Sequence, residues 1–302
     1  MVLDSYEYAK RGAKAGIAAK IGLAVLFGAT GLVGRSTALL AAAVDSLADV
    51  FSSVVVLIGL NIASTLPDRE HPYGHGKAEP VAGKAVAIVL IIVAFSILWK
   101  SVTGLLAEEP HGPVAAFTMV VAAFGALANE ALYRYQYRIG KEVGSVSLQA
   151  DAWNHRTDAL ASIVAFIGVG GACLGGAKWA FLDHAAGGVI SLIILYVGVK
   201  LFRQTSLELM DTRLPEDQMG DIRSIIENTE GVLAVDLVRA RRSGLVVFLD
   251  VHVEVDKDLT VEAGHEIASR VRIRVRSEMP EVADALIHVE PYYERTRLAD
   301  AR

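Results

Sequence analysis

The sequence predicts an α-helical membrane protein with six transmembrane helices, followed by a small α+β cytoplasmic domain of order α-β-β-α-β. Three observations predict it. First, charge is unevenly spread along the 302 residues, which are 53% hydrophobic and 21% charged. Residues 1–211 hold 16 Lys/Arg and 16 Asp/Glu, whereas residues 212–302 hold 13 and 18. The last 91 residues therefore carry the whole net charge of −5. Second, six long apolar stretches fall in the first part. Third, the second part mixes helical and strand periodicity. The expected domains are 1–211, in the membrane, and 212–302, a small acidic soluble domain.

The composition also excludes classes. The chain is too apolar for disorder. One cysteine, Cys173, cannot build a disulfide scaffold. Neither part is basic, so nucleic acid is not an expected partner. No phosphate loop or nucleophile–base pair is visible, so no enzyme and no organic cofactor are expected. The opening MVLDSYEYAK has early acids and no basic run before an apolar stretch, unlike a cleavable signal peptide.

The apolar stretches run roughly over 13–33, 37–66, 81–106, 113–133, 146–172 and 179–202. Crossing about 30 Å of hydrocarbon takes about 20 helical residues, and each stretch suffices. Strand-like alternation is absent, so helices rather than a barrel are expected. GLVGRST, LPDREHPYGHG, EEPHGP and LGGAK separate them with turn residues. Lys10, Arg11, Lys14, Arg69, Lys77, Arg134, Arg138, Lys141, Lys200 and Arg203 fall on one side; Arg35, Lys100 and Lys178 fall on the other. That bias puts both termini in the cytoplasm of a multi-pass protein, expected in a bacterial inner membrane. Trp99 and Trp179 sit near the sparse side, as interfacial anchors would.

Charges inside the spans point to function. Asp45 and Asp49 are four apart in the second stretch, so they share a helix face. Asp151, Asn154, His155 and Asp158 share a face of the fifth stretch. A carboxylate in a membrane costs roughly 2.5–3.5 kcal/mol on insertion scales unless partnered. The one basic residue near these faces in sequence is Arg156, which points elsewhere on its helix. A bound cation is the simplest counter-charge. Asp45, Asp49, Asn154 and Asp158 would offer oxygen alone, which suits Mn²⁺, Mg²⁺ or Ca²⁺, while imidazole favours Zn²⁺. Asn154 has the i, i+4 spacing to Asp158, and His155, at i, i+3, is an open alternative. Asp151, nearest the cytoplasmic end, can be read as a packing residue.

In DSLAD (45–49), HPYGHGKAE (71–79), ADAWNHRTDALAS (150–162), HEIA (265–268) and HVEP (288–291) the sequence resembles the cation diffusion facilitator family. The resemblance implies a homodimeric exporter of divalent metal in membrane lipid, with protons as the counter-ion. By position it implies a transport site of Asp45, Asp49, Asn154 and Asp158; His155 and Asp151, on the same face of the fifth stretch, are candidate supporting neighbours from the residue pattern. Zinc members carry histidine where Asn154 stands, so the quartet resembles the manganese-exporting branch, with Fe²⁺ the nearest competitor and Zn²⁺ a further alternative. Asp68, His71 and His75 form a candidate loop metal site. Lys77 would pair with Asp211 as a charge lock in the dimer. Asp236, His252, His265, His288 and Glu290 are the candidate regulatory metal site of the tail. A different class, a metal-sensing membrane scaffold with vestigial transport, is the second reading.

In the tail, residues 215–229 read as helix, VLAVDLVRARRSG and LVVFLDVHVEV as two strands joined at SG, 260–278 as a helix opened by Thr260, and DALIHVEP as a last strand. This order suits an antiparallel-rich sandwich.

Overall fold

The computed structural model describes residues 2–33, 37–106, 116–175 and 181–293. Arg35, Lys178 and Trp179, and the side chains of Asp45, Lys100 and Cys173, lie outside the described residues. The chain forms two compact units, Leu3–Leu209 and Met210–Arg302 with Met1–Val2.

The first unit is helical: α1 (Val2–Val33), α2 (Thr37–Ala63), α3 (Ala78–Leu106), α4 (Ala116–Val143), α5 (Val146–Gly175) and α6 (Phe181–Leu209). α3 packs chiefly on α6 and α4 on α5, while α5 also meets α2, α3 and α6. By length and composition, Asp4–Thr30 and Ala78–Gly104 are apolar enough to cross a membrane among the described residues. The bundle buries several polar groups among its apolar core residues and exposes large apolar side chains. Lys20, Glu79, Gln136, Asp151 and His155 are at most 1% exposed, whereas Phe51, Trp99 and Leu127 exceed 70%. Water would not favour that distribution, and hydrocarbon would.

Glu79 pins this interior. It lies in the first turn of α3, and its Oε1 accepts from Ser145 Oγ (2.8 Å), Ser147 N (2.8 Å) and Ser147 Oγ (2.7 Å). The carboxylate thus meets donors at the start of α5, where the helix dipole favours negative charge.

The second unit contains α7 (Glu216–Glu227), β1 (Ala234–Ser243), β2 (Val246–Val255), α8 (Val261–Glu278) and β3 (Val282–Pro291). Gly244, at φ +63, makes the tight link between β1 and β2. Thr260 caps α8, its Oγ1 accepting from Ala263 N at 3.2 Å. The sheet order is β1-β2-β3, with β1 antiparallel and β3 parallel to β2. The sheet is therefore mixed rather than antiparallel-rich. The 18-residue α8 carries the chain back across the sheet, and such a crossover returns the next strand parallel. Ile222 and Ile226 of α7, Val271 and Val275 of α8, and Val247, Val251 and Val253 of β2 form the core.

Candidate metal centre

Among the described residues, three clusters of potential ligands are brought together. The first lies in the helical bundle. Asp49 comes from α2, and Asp151, Asn154, His155 and Asp158 come from α5. Asn154 Nδ2 donates to Asp49 Oδ1 at 2.7 Å, joining the two helices. The expectation that this region lacks a protein counter-charge is corrected by Lys20 of α1. Its Nζ lies 2.7 Å from Asp49 Oδ2 and also pairs with Asp158 Oδ2. Tertiary packing brings this ammonium from 29 residues upstream of Asp49. The signal was present, because a lysine set deep in an apolar stretch, as Lys20 is in 13–33, calls for a named partner. Arg156 turns away, its guanidinium 4.4 Å from the Tyr133 ring centroid and 5.3 Å from that of Trp153.

Asp151 and His155 lie beside this group on the same helix face. Ser53 Oγ donates to Asp151 Oδ1 at 2.8 Å, and Gln136 Nε2 to its Oδ2 at 3.3 Å. His155 Nε2 is 3.8 Å from Asp151 Oδ2, and neither ring nitrogen of His155 has a hydrogen-bond partner among the described residues.

The second cluster lies in the loop between α2 and α3. Asp68 Oδ1 accepts from the backbone of Glu70 (2.9 Å) and His71 (2.6 Å). His71 Nδ1 lies 3.5 Å from Asp68 Oδ1, and His75 Nε2 lies 3.6 Å from Oδ2. The imidazole centroids are 4.3 Å apart. Gly74 takes φ +80, which allows the sharp bend. Backbone donation from His71 holds the Asp68 carboxyl below its ordinary value of 3.8, with Glu70 N–H and the two histidines adding to the effect. One carboxylate and two imidazoles can converge on one ion.

The third cluster lies on the sheet. His252 of β2 and His288 of β3 are register partners. Their rings are 4.8 Å apart. Glu290 Oε1 lies 2.8 Å from His252 Nδ1 and 3.5 Å from His288 Nε2. Asp236 and His265 are not brought into this group of mutually close donors. Asp236 stands at the β1 bulge between Val235 and Leu237, and His265 lines a cleft between α8 and β3. Within the same unit, Asp211 lies 3.5 Å from Arg241 Nη1.

A helical bundle with ionisable groups buried inside it, followed by a small α+β unit, is the arrangement expected of a membrane protein that handles ions. Residues 13–210 match the family model described as the cation efflux transmembrane domain, and residues 214–292 match that of the cation efflux protein, cytoplasmic domain. The chain belongs to the cation efflux family, whose members are transporters rather than enzymes. It is 35% identical to the manganese efflux system protein MneP of Bacillus subtilis, over 87% of this chain and 90% of that protein. It is 32% identical to MneS of the same organism, named likewise for manganese efflux, over 95% of this chain and 97% of that protein. Metal tolerance protein C1 of Arabidopsis thaliana is 37% identical over 92% of this chain, which spans 61% of that plant protein.

Proposed function

We propose that this protein exports Mn²⁺, with Fe²⁺ as the nearest competitor, from the cytoplasm in exchange for protons. In this reading α1–α6 are six membrane spans, and both termini are cytoplasmic in a bacterial inner membrane. The transport site is Asp45, Asp49, Asn154 and Asp158. The observation that carries the reading is the convergence of Asp49, Asn154 and Asp158 from two helices, through the 2.7 Å Asn154–Asp49 bond and the lysine shared by both acids. Carboxylate and amide oxygens are hard donors suited to Mn²⁺. Two relatives named for manganese efflux support the same ion.

The mechanism follows from the donors. The carboxylates bind the ion on the cytoplasmic side, the bundle changes its exposure, and protons replace the ion on those oxygens outside. The Asn154 amide oxygen ligates while its nitrogen stays on Asp49. Asp151, with Ser53 and Gln136, and the buried His155 hold the α5 face beside the site. The loop residues Asp68, His71 and His75 bind a second ion. His252, His288 and Glu290 bind a regulatory ion in the tail, with Asp236 and His265 on its margins, and the tail holds a homodimer together.

Uptake of Mn²⁺, Fe²⁺, Zn²⁺ and Co²⁺ by proteoliposomes, with and without a pH gradient, tests this reading. Manganese should move fastest, and imposing a gradient should change its rate. Zinc preference, or indifference to the gradient, overturns the corresponding part.

A further inference from the structure

Lys20 lies well inside α1 and is 1% exposed. It touches two of the residues assigned above to the ion, reaching Asp49 Oδ2 at 2.7 Å and pairing with Asp158 Oδ2. Asp49 divides its oxygens between two partners, with Oδ1 accepting from Asn154 and Oδ2 facing the ammonium. The ammonium therefore takes the position, between the α2 and α5 carboxylates, that a bridging cation needs.

Two cations repel strongly at such range in a low-dielectric interior, so lysine and metal cannot share the position. Without a cation, the Asp49 and Asp158 side chains, 16% and 30% exposed, would face each other with their charges uncompensated. Lysine fits this role better than arginine, because its compact charge rides on a flexible four-carbon stem and can move without moving its helix. The Asn154–Asp49 bond uses the other oxygen, so it can persist while the lysine leaves.

We propose that Lys20 is a tethered counter-cation of the transport site. It holds Asp49 and Asp158 together between transport events, an entering divalent ion displaces it, and its return helps expel the ion. A monovalent cation offers no more charge than the resident ammonium, so the device favours divalent ions. This proposal rests on the transport-site reading above.

The test uses full-length protein carrying His75→Ala and Glu290→Ala, which disable the loop and tail clusters. Mn²⁺ binding is measured calorimetrically for this parent and for Lys20→Met, Lys20→Gln and Lys20→Arg. The two neutral variants should bind Mn²⁺ about tenfold or more tightly and release it more slowly in single-turnover flux, because the competing charge is gone. Lys20→Arg keeps the charge and should not gain affinity. Unchanged or weaker binding by folded Lys20→Met and Lys20→Gln overturns the proposal. A measurement on the parent covers failure of both to fold. Mn²⁺ should increase reductive methylation of Lys20, read by mass spectrometry, and unchanged modification overturns the proposal. Asp158→Ala separates the two levels. If it binds Mn²⁺ as the parent does, the site assignment fails and the lysine proposal with it. If it loses Mn²⁺ while the neutral lysine variants gain nothing, only the lysine proposal fails.

Discussion

The Asn154 amide nitrogen donates to Asp49 Oδ1 at 2.7 Å, tying the acid-bearing face of α2 to that of α5. The proposed ligand set, divided between two helices, would be sensitive to their relative position, as the proposed alternating exposure requires. It also makes each donor separately testable.

Asp49→Ala and Asp158→Ala should each reduce Mn²⁺ flux to that of empty liposomes while leaving a folded dimer. Each removes an oxygen ligand and a negative charge, and each leaves Lys20 with the other acid as partner. Flux together with size-exclusion profiles checks this. Normal transport by either variant removes the assigned site.

Asn154→His should move preference from Mn²⁺ toward Zn²⁺. Imidazole nitrogen is softer than an amide oxygen and raises affinity most for metals late in the Irving–Williams order. Its spacing to Asp158 is retained. His155→Ala should leave the Mn²⁺/Zn²⁺ flux ratio alone, because His155 lies beside Asp151. If His155→Ala changes the ratio while Asn154→His does not, His155 is the ligand from α5.

Glu79→Gln should lower the unfolding temperature, at a cost of about 1–3 kcal/mol, by weakening the charge-assisted bonds to Ser145 and Ser147. Thermal unfolding in detergent measures it. Ion selectivity should stay as in the parent.

The loop should respond to acid in a defined direction. The folded Asp68 carboxyl lies below its ordinary 3.8, so ionisation and the folded turn support each other. That support is present above pH 3.8 and is lost as pH falls through the lower folded value. Imidazole NMR shifts of His71 and His75 should report the loss below pH 3.8. Asp68→Asn keeps an oxygen for the backbone donors, so it should preserve the turn, weaken Mn²⁺ binding there and remove the acid transition.

Deleting residues 212–302 should weaken dimerisation and metal activation more than it alters metal choice. Selectivity is assigned to oxygens of the bundle, and dimerisation to the tail. Flux ratios and light scattering on the truncated protein decide it. A truncated protein that transports but prefers a different metal contradicts this division.

Local pattern made much of this protein legible. Spacings of three and four put Asp151, Asn154, His155 and Asp158 on one face of α5, because 3.6 residues per turn leave little choice. The alternating apolar residues of VVFLDVHVEV identify β2, and Thr260 marks the start of α8 through a cap that needs three neighbouring residues. The Asp68–His71–His75 group is equally local, since its donors lie within one bend. Long-range meetings were not legible in this way. Nothing in the spacing of Lys20 says that α1 will deliver it to Asp49 and Asp158, or that Glu79 of α3 will meet Ser145 and Ser147. Nor does alternation along β3 distinguish a parallel from an antiparallel neighbour. That depends on the crossover through α8, which sets His288 beside His252 and brings Glu290 within 2.8 Å of the latter. Sequence periodicity determines which side chains share a face, because the backbone repeat is local. Only the tertiary structure decides which faces meet, because buried charges find partners through the packing of whole helices and strands.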